Sequence, residues 1–154
     1  MPKIDPTTAP LRTGSRYPAP FDEPCKLRSS RCLGEAAGLT QFGVNLVRLA
    51  PSVWSSQRHW HSHEDELVYV VEGHVVLVTD AGEETLGPGE CAGFKGGVRD
   101  GHHFQNRSSA DAVLLVVGSR IEEDHGEYPD IDMTFAPGRY SGKGGYRRKD
   151  GTRL

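Results

Sequence analysis

The chain has 154 residues, a formal net charge of −3 and 36% hydrophobic residues, which predict one domain with tails and a single core. The slightly acidic balance gives no reason to expect a nucleic acid or an anionic membrane as a partner. No apolar run approaches the length of a membrane span, and the first ten residues lack the apolar segment of a signal peptide. A cytoplasmic protein is therefore expected.

The three cysteines are Cys25, Cys32 and Cys91, an odd number without a closely spaced pair. Neither a disulfide framework nor a zinc ribbon is predicted from such a pattern. Reduced thiols are expected, and two alternatives stay open: a bond between Cys25 and Cys32, or one thiol serving as a soft metal ligand.

Proline dominates the first part of the chain. Residues 1–24 contain six of the ten prolines and few apolar side chains, which is typical of an extended segment rather than of core. Residues 1–41 are therefore interpreted as an N-terminal arm, and whether it covers its own domain or a partner subunit stays open. The first strand is predicted at 42–49, where an apolar and β-branched run ends at Ala50-Pro51.

Short apolar runs then follow one another at close intervals, separated by turn-forming glycine, proline, aspartate and asparagine. The strands predicted from them lie at 67–72, 74–79, 83–86, 90–94, 102–106 and 112–117. Many short strands with closely spaced turns are typical of an antiparallel sandwich or barrel. Several of the runs are apolar on both faces, which predicts that a second sheet or a dimer partner covers them.

Charge changes sign along the last part of the chain. Residues 121–132 hold six acidic groups, whereas residues 138–154 hold six lysines and arginines against one aspartate. Residues 119–154 are interpreted as an irregular C-terminal tail, acidic and then basic, that follows a barrel at 42–118. The two charged parts either form separate solvated flaps or pair with each other over the mouth of the barrel.

Five of the seven histidines fall in two short windows. His59 and His61 alternate with one other residue, so they share one face of a strand about 6–7 Å apart. A turn after them brings Glu66 onto the returning strand, and the second window supplies a further imidazole from His102 or His103. Three imidazoles and one carboxylate suit a divalent transition metal such as Fe, Mn, Ni, Co or Zn and leave two octahedral positions open.

The spacing of these residues resembles the cupin superfamily, in particular its small single-domain members of the cupin 2 type. The first cupin motif, G…HxH(x)3–4E(x)6G, is matched in order by Gly43, His59, His61, Glu66 and Gly73. The second motif, G(x)5PxG(x)2H(x)3N, is matched by Gly89, Gly97, His102 and Asn106. Lys95 stands in the place of the proline of this motif, and Asp100-Gly101 is inserted before the histidine. The resemblance covers about residues 42–118.

This resemblance implies an all-β fold, namely a double-stranded β-helix or jelly-roll barrel that holds the metal inside, and a homodimer. It favours His102 over His103, because His102 keeps the three-residue spacing to Asn106 and shares its strand face. The implied metal ligands are therefore His59, His61, Glu66 and His102, with His103 as the alternative for the last position.

Other residues near the windows are less informative. Tyr69 and Trp60 are at odd offsets from the proposed ligands and should face away from the metal. His63 is interpreted as a turn residue near the mouth of the site, with a role as a nearby base as the alternative. Arg99 either binds a substrate carboxylate or is solvated in its loop.

Because cupins include many kinds of enzyme and also binding proteins, the fold alone does not identify the reaction. The expected function is a metal-dependent enzyme of the dioxygenase, isomerase or lyase type, acting on a small organic molecule that is otherwise unassigned. The alternative is a non-catalytic module that binds or senses a metal or a small ligand. A sugar-phosphate isomerase would need a basic lining, for which the barrel segment offers only Arg48, Arg58, Lys95, Arg99 and Arg107.

Overall fold

The computed structural model describes residues 3–154. These residues form thirteen β-strands, one four-residue α-helix and one short 3₁₀ turn at Glu23–Cys25. The elements are β1 (Leu11–Thr13), β2 (Ser29–Cys32), α1 (Leu33–Ala36), β3 (Phe42–Leu49), β4 (Trp60–His61), β5 (Glu66–Glu72), β6 (Val75–Thr79), β7 (Gly82–Leu86), β8 (Cys91–Phe94), β9 (His103–Gln105), β10 (Ala112–Ser119), β11 (Gly126–Tyr128), β12 (Met133–Phe135) and β13 (Tyr146–Arg147).

The strands form three antiparallel sheets. The large sheet has the order β1-β2-β3-β10-β5-β8, and the two small sheets have the orders β13-β12-β11-β4 and β7-β6-β9. An isolated bridge between His59 and His102 connects the two small sheets beside β4 and β9. The site residues of both sequence windows therefore meet where the small sheets adjoin.

All seven strands predicted from the sequence are present, and each ends within two residues of its predicted bounds. Buried and exposed side chains alternate along β5, as is typical of a strand with one covered face. Val68 and Val70 are buried on the inner face, whereas Leu67, Tyr69 and Val71 are exposed on the outer face.

The main core lies between the large sheet and the sheet of β6, β7 and β9. Its inner-face residues are Val47, Leu49, Val68, Val70 and Leu114 from the large sheet, and Val75, Leu77, Leu86 and Phe104 from the small one. A second, smaller core under β11 and β12 contains Tyr128, Met133 and Phe135, and Tyr17 and Phe21 of the arm pack against it. The arm and the tail are thereby joined over the same end of the barrel.

The arm and the tail contain more regular structure than their sequences indicate. Strand β2 pairs with β3 and extends the large sheet, and the tail strand β11 pairs with β4 beside the metal-type residues. These strands are two to four residues long, too short for an apolar alternation to be visible. The pairing of β11 with β4 in addition joins two segments that are about 65 positions apart in the sequence.

Two glycines are required by close backbone approaches. Gly73, in the turn between β5 and β6, has φ +73°, and a Cβ there would lie 2.5 Å from the carbonyl oxygen of Asp111. A Cβ at Gly126 would lie 2.0 Å from the carbonyl oxygen of Trp60. Only glycine at position 126 lets β11 lie against β4, so this residue holds the tail next to the site.

Ion pairs also fasten the tail. Arg58, with only 13% of its side chain exposed, donates to both carboxylate oxygens of Asp130 in the tail and to Asp80 in the turn after β6. Within the tail, Arg148 pairs with Asp132 at 3.2 Å, and Lys149 pairs with Glu127 at 3.2 Å. The acidic and basic parts of the tail thus pair with each other.

Cys25, Cys32 and Cys91 are all free thiols, and the first two are buried. Within residues 3–154, no helix is long and apolar enough to cross a membrane.

Candidate metal centre

The two histidine windows converge on one side of the barrel. His61 lies on β4, His59 precedes it and is bridged to His102, and Glu66 begins β5 on the facing sheet. One ring nitrogen of His59, one of His61 and one carboxylate oxygen of Glu66 lie within 4.8 Å of one another. The sheet pairing therefore brings together groups that are separated by turns in the sequence.

The backbone determines the tautomer of His59. Its Nδ1 lies 2.8 Å from the carbonyl oxygen of Gln57, so Nδ1 carries the proton and donates. Burial lowers the pKa of His59 well below its usual 6.5, and the nearby His61 and His102 imidazoles add to the effect. The ring is neutral and presents the lone pair of Nε2 to the site.

His61 is oriented by a carboxylate. Its Nδ1 donates to Oδ2 of Asp124 at 2.6 Å, and Asp124 is fully buried. Burial acts to raise the pKa of Asp124, but the hydrogen bonds from His61 and from the backbone N–H groups of His63 and Glu64 outweigh it and lower the pKa. The ionised Asp124 keeps the proton of His61 on Nδ1, so Nε2 faces the site.

The two Nε2 atoms lie only 3.1 Å apart. With both Nδ1 protons engaged in hydrogen bonds, the two Nε2 atoms are left to face each other with their lone pairs. Two lone pairs at this distance repel unless a proton or a cation is shared between them. The arrangement is therefore suited to hold a cation.

Glu66 supplies a negative charge at the same point. Its Oε2 lies 4.0 Å from Nε2 of His61, and its Oε1 lies 3.7 Å from Nε2 of His102. Burial acts to raise the pKa of Glu66, but the neighbouring imidazoles of His102, His59 and His61 outweigh it and lower the pKa to about 2. The carboxylate is ionised in neutral solution, as metal ligation requires.

His102 completes the group from the other window. Its ring stacks on Phe94 with centroids 3.6 Å apart and an interplanar angle of 4°, which fixes its plane. Both ring nitrogens are buried, and neither has a hydrogen-bond partner within residues 3–154. Unsatisfied buried nitrogens are unfavourable, and one of them is directed at the carboxylate that faces the other two histidines.

These residues fit a divalent transition metal. Three imidazoles and one carboxylate are the donor types such ions take, and four donors leave room for exchangeable ligands. The carbonyl oxygen of Gln57 and the carboxylate of Asp124 accept hydrogen bonds from Nδ1 of His59 and His61. Acceptors of this kind are common outer partners at histidine metal sites.

The neighbouring histidines lie elsewhere. His103 points away from the site, because its Nδ1 bonds to the carbonyl oxygen of Ser56 and its ring packs edge-on against Trp54. His63 is exposed and lies beside His125, with both rings within hydrogen-bond distance of Ser62 Oγ. Of the alternatives left open by the sequence, the geometry brings His102 to the group and leaves out His103 and His63.

The residues expected to face away do so. Tyr69 is 40% exposed on the outer face of the large sheet. Trp60 is buried, and the guanidinium of Arg99 lies 5.1 Å from its ring centroid. Arg99 is therefore engaged with the far face of β4 rather than with the cavity.

The carboxylate of Asp124 was not singled out from the sequence. The acidic run at 121–132 contains several carboxylates, and no spacing distinguishes the one that reaches His61. The one signal in the sequence is the glycine two residues later, Gly126, and its role follows only from the pairing of β11 with β4 in the folded chain.

A cavity of about 960 Å³ opens beside the metal-type residues. Among its lining residues are His59, His61, Glu64 and Glu66, together with residues of the arm and the tail. Its charged walls include the five arginines Arg12, Arg16, Arg28, Arg120 and Arg139, against the three glutamates Glu35, Glu64 and Glu66. The cavity is thus basic although the chain as a whole carries a net charge of −3.

The basic lining does not come from the barrel segment. The five basic residues that this segment offers for such a lining, Arg48, Arg58, Lys95, Arg99 and Arg107, are all absent from the cavity lining. Arg58 is tied to Asp80 and Asp130, and Arg48 and Arg107 pair with Asp111 and Glu83. The arginines of the cavity come from segments that pack onto the barrel from either end of the chain.

Comparison with known proteins agrees with this geometry. A family profile described as the cupin domain matches residues 45–118. A crystal structure from Silicibacter pomeroyi, described as a sugar phosphate isomerase from a cupin superfamily, is 47% identical, with a TM-score of 0.94 over 99% of this chain and 96% of the other. The chain therefore belongs to the cupin superfamily, and its fold is the cupin jelly-roll barrel.

Two further structures are more distant. A protein from Acidithiobacillus ferrooxidans, named as a candidate sugar phosphate isomerase, is 27% identical, with a TM-score of 0.75 over 83% of this chain and 80% of the other. A polyketide cyclase from Streptomyces resistomycificus is 26% identical, with a TM-score of 0.61 over 77% of this chain and 79% of the other. A search of curated proteins gave no match. The matched structures thus share the barrel but not one chemistry.

Proposed function

We propose that this protein is a metal-dependent isomerase of a small phosphorylated sugar. The observation that carries the proposal is that one cavity is lined both by three of the four proposed donors, His59, His61 and Glu66, and by a basic wall. The metal would be held by His59, His61, Glu66 and His102. A 47% identical structure described as a sugar phosphate isomerase favours this reaction over the other reactions of cupins.

The charge of the cavity supports an anionic substrate. Five arginines outnumber three glutamates in its lining, and one of those glutamates, Glu66, belongs to the donor group. A concave site with an excess of positive charge attracts anions and raises their local concentration. A neutral sugar would leave Arg16 and Arg28, which form no ion pair within residues 3–154, without an anionic partner.

The reaction type is compatible with the groups present. Conversion of an aldose into a ketose moves one proton from C2 to C1 and one from O2 to O1, with no net oxidation, so no co-reactant is needed. A metal bound at the donors would polarise the sugar carbonyl and so lower the activation barrier to proton loss at the neighbouring carbon. The protein holds the His59 and His61 protons at Nδ1 and keeps the Glu66 carboxylate ionised.

The metal assignment predicts loss of metal in single variants. His61→Ala and Glu66→Ala should each lose most of the bound metal when the protein is purified without added metal, and His59→Ala and His102→Ala should weaken binding strongly. The reason is that each variant removes one of four donors. Metal content is measured by elemental mass spectrometry, with His103→Ala and His63→Ala as matched controls. Wild-type stoichiometry in the four ligand variants would refute the donor set.

The reaction is tested with the metal-loaded protein and a panel of aldose and ketose phosphates. Incubation in D2O, followed by proton NMR, should show interconversion and exchange of the proton at C2 for at least one sugar phosphate. The Glu66→Ala protein should show neither. Full metal occupancy with no turnover or exchange across the panel would favour the alternative, a non-catalytic binding module.

A homodimer completes the proposal. Leu67, Tyr69 and Val71 alternate along β5 and are all 40% or more exposed on the outer face of the large sheet. On the neighbouring strand β10, Leu115 lies opposite Tyr69 and Val117 opposite Leu67, so the apolar surface spans two strands. A contiguous apolar surface of this kind is typical of a protein contact, and a two-fold axis would let it pack on its own copy.

Disrupting this surface should separate the subunits. Tyr69→Glu introduces a charge in the middle of the apolar stripe, so the molar mass from size-exclusion chromatography with light scattering should fall from two chains to one. Val98→Glu is the matched control, because Val98 is exposed at 52% but lies in a loop away from β5. A dimer that persists in Tyr69→Glu would exclude this face as the interface.

A further inference from the structure

Two arginines of the arm line the cavity without a counter-ion. Arg16 and Arg28 form no ion pair with any carboxylate of residues 3–154, whereas Arg12 and Arg120, also in the lining, share Glu35. Arg139 of the tail lies 3.6 Å from Glu64, and half of its side chain is exposed. The cavity therefore has a part in which positive charge is incompletely neutralised.

Arg28 is held in position and is incompletely satisfied. One of its terminal nitrogens donates to the carbonyl oxygen of Ser55, and its own carbonyl oxygen accepts from the N–H of Gly14 at 2.8 Å. The Nε atom is buried and has no hydrogen-bond partner within the described chain. A buried donor on a charged group is unfavourable without an acceptor. Because Arg28 lines the cavity and has no carboxylate partner within the described chain, an anion bound in the cavity would stabilise its charge.

All three arginines lie near one phenol of the cavity lining. Tyr146 lines the same cavity and packs against Tyr17 with ring centroids 5.5 Å apart. Burial raises the pKa of Tyr146, and the positive charges of Arg139, Arg16 and Arg28 act in the opposite direction. Guanidinium groups from both the arm and the tail therefore lie close to this side chain.

We propose that Arg16, Arg28 and Arg139 form an anion subsite that binds the phosphate group of the substrate, within the cavity that also holds the metal-type donors. The inference rests on the proposed function, because it assigns to that site the group that recognises a phosphorylated sugar. A phosphate offers several strong acceptor oxygens and up to two charges. Arginine matches it with parallel N–H donors and remains charged at every relevant pH.

The three arginines lie outside the two histidine windows in the sequence. Arg16 and Arg28 belong to the arm and Arg139 to the tail, whereas the metal-type donors belong to β4, β5 and the segment before β9. Substrate selection is thereby separated from the metal donors, since different segments of the chain carry the two tasks. Variants of either set can be tested without altering the other.

The test is isothermal titration calorimetry with inorganic phosphate at low ionic strength. Arg28→Ala should weaken phosphate binding about tenfold or more, and Arg16→Ala and Arg139→Ala should weaken it in the same direction. Arg99→Ala is the matched control, because Arg99 lies over Trp60 on the other side of β4 and should leave the affinity unchanged. Arg16 is exposed and makes no side-chain hydrogen bond within residues 3–154, so its variant should keep the fold.

Several results would overturn the subsite. Equal phosphate affinity in wild type, Arg28→Ala and Arg16→Ala would exclude it, as would an equal loss in Arg99→Ala, which would indicate unspecific attraction. Acetate bound as tightly as phosphate would show a carboxylate site instead. Loss of phosphate binding in Glu66→Ala, with the three arginines intact, would place the anion on the metal.

The outcomes separate this inference from the proposed function. If phosphate binding depends on the arginines but no sugar phosphate is converted, the subsite stands and the isomerase assignment is wrong. If a sugar phosphate is converted while Arg28→Ala changes neither phosphate affinity nor KM, the subsite is wrong and the isomerase stands. Arg28→Ala should keep the metal content of the wild type in either case.

Discussion

Asp124→Asn should weaken metal binding about 10- to 100-fold, the range found when an outer partner of a histidine ligand is removed. The substitution keeps the size of the side chain and removes its charge. The remaining oxygen would still accept from the backbone N–H groups of His63 and Glu64, as Oδ1 of Asp124 does at 2.9 and 3.3 Å. The new amide NH2 would then face Nδ1 of His61, where Asp124 now accepts at 2.6 Å.

The physical reason is the tautomer of His61. Two donors cannot hydrogen-bond to each other, so Nδ1 would become the acceptor and the proton would move to Nε2. A protonated Nε2 has no lone pair for a metal. The loss therefore arises from a residue that does not touch the metal, and it should occur without unfolding.

The measurement is a competition titration with a metal chelator of known affinity, together with circular dichroism to verify the fold. Glu123→Gln is the matched control, because it makes the same charge change at the neighbouring, exposed position. An affinity in Asp124→Asn equal to that of Glu123→Gln would show that Asp124 does not orient His61.

Phe104→Ala should have the largest effect on stability, a loss of about 3–5 kcal/mol in the free energy of unfolding. Phe104 is 2% exposed in the main core and contacts Phe94 edge-on, with ring centroids 6.1 Å apart. Removing the ring leaves a cavity between the two sheets that their hydrogen-bonded strands cannot close. The melting temperature should fall by about 10 °C or more.

Urea denaturation checks this prediction, with a chelator present and at one protein concentration, so that bound metal and subunit association do not contribute. Phe42→Ala serves as the control, because Phe42 is 41% exposed at the start of β3 and should change the stability by less than about 0.5 kcal/mol. A loss below about 1 kcal/mol in Phe104→Ala would mean that the two sheets are not packed through this ring.

The barrel strands were predictable because their signals are local. In β5 and β10 the apolar residues run continuously over five and six positions, at 67–71 and 112–117, and turn-forming residues separate such runs. Such patterns reflect which face of a strand is buried, and this is decided within a few residues. The same holds for the spacing of His59, His61 and Glu66, which lie close together in the sequence, on and just before two successive strands.

The arm and tail were less predictable because their strands are short and pair with distant partners. Strand β11 has three residues and pairs with β4, about 65 positions earlier in the chain. No periodicity develops over such lengths, and many registers would satisfy the backbone hydrogen bonds equally well. Burial of Tyr128, Met133 and Phe135 against the arm selects the observed pairing.

The sequence by itself determined the class of fold and the strands of the barrel, and it predicted the metal-type donors, because these depend on local patterns and on motif spacing. Only the tertiary structure decided which carboxylate orients His61 and which arginines line the cavity. Asp124 is 63 positions from His61, and Arg28 and Arg139 are separated by most of the chain. Such contacts follow from how the tails pack over the barrel, and that packing is a property of the whole folded chain.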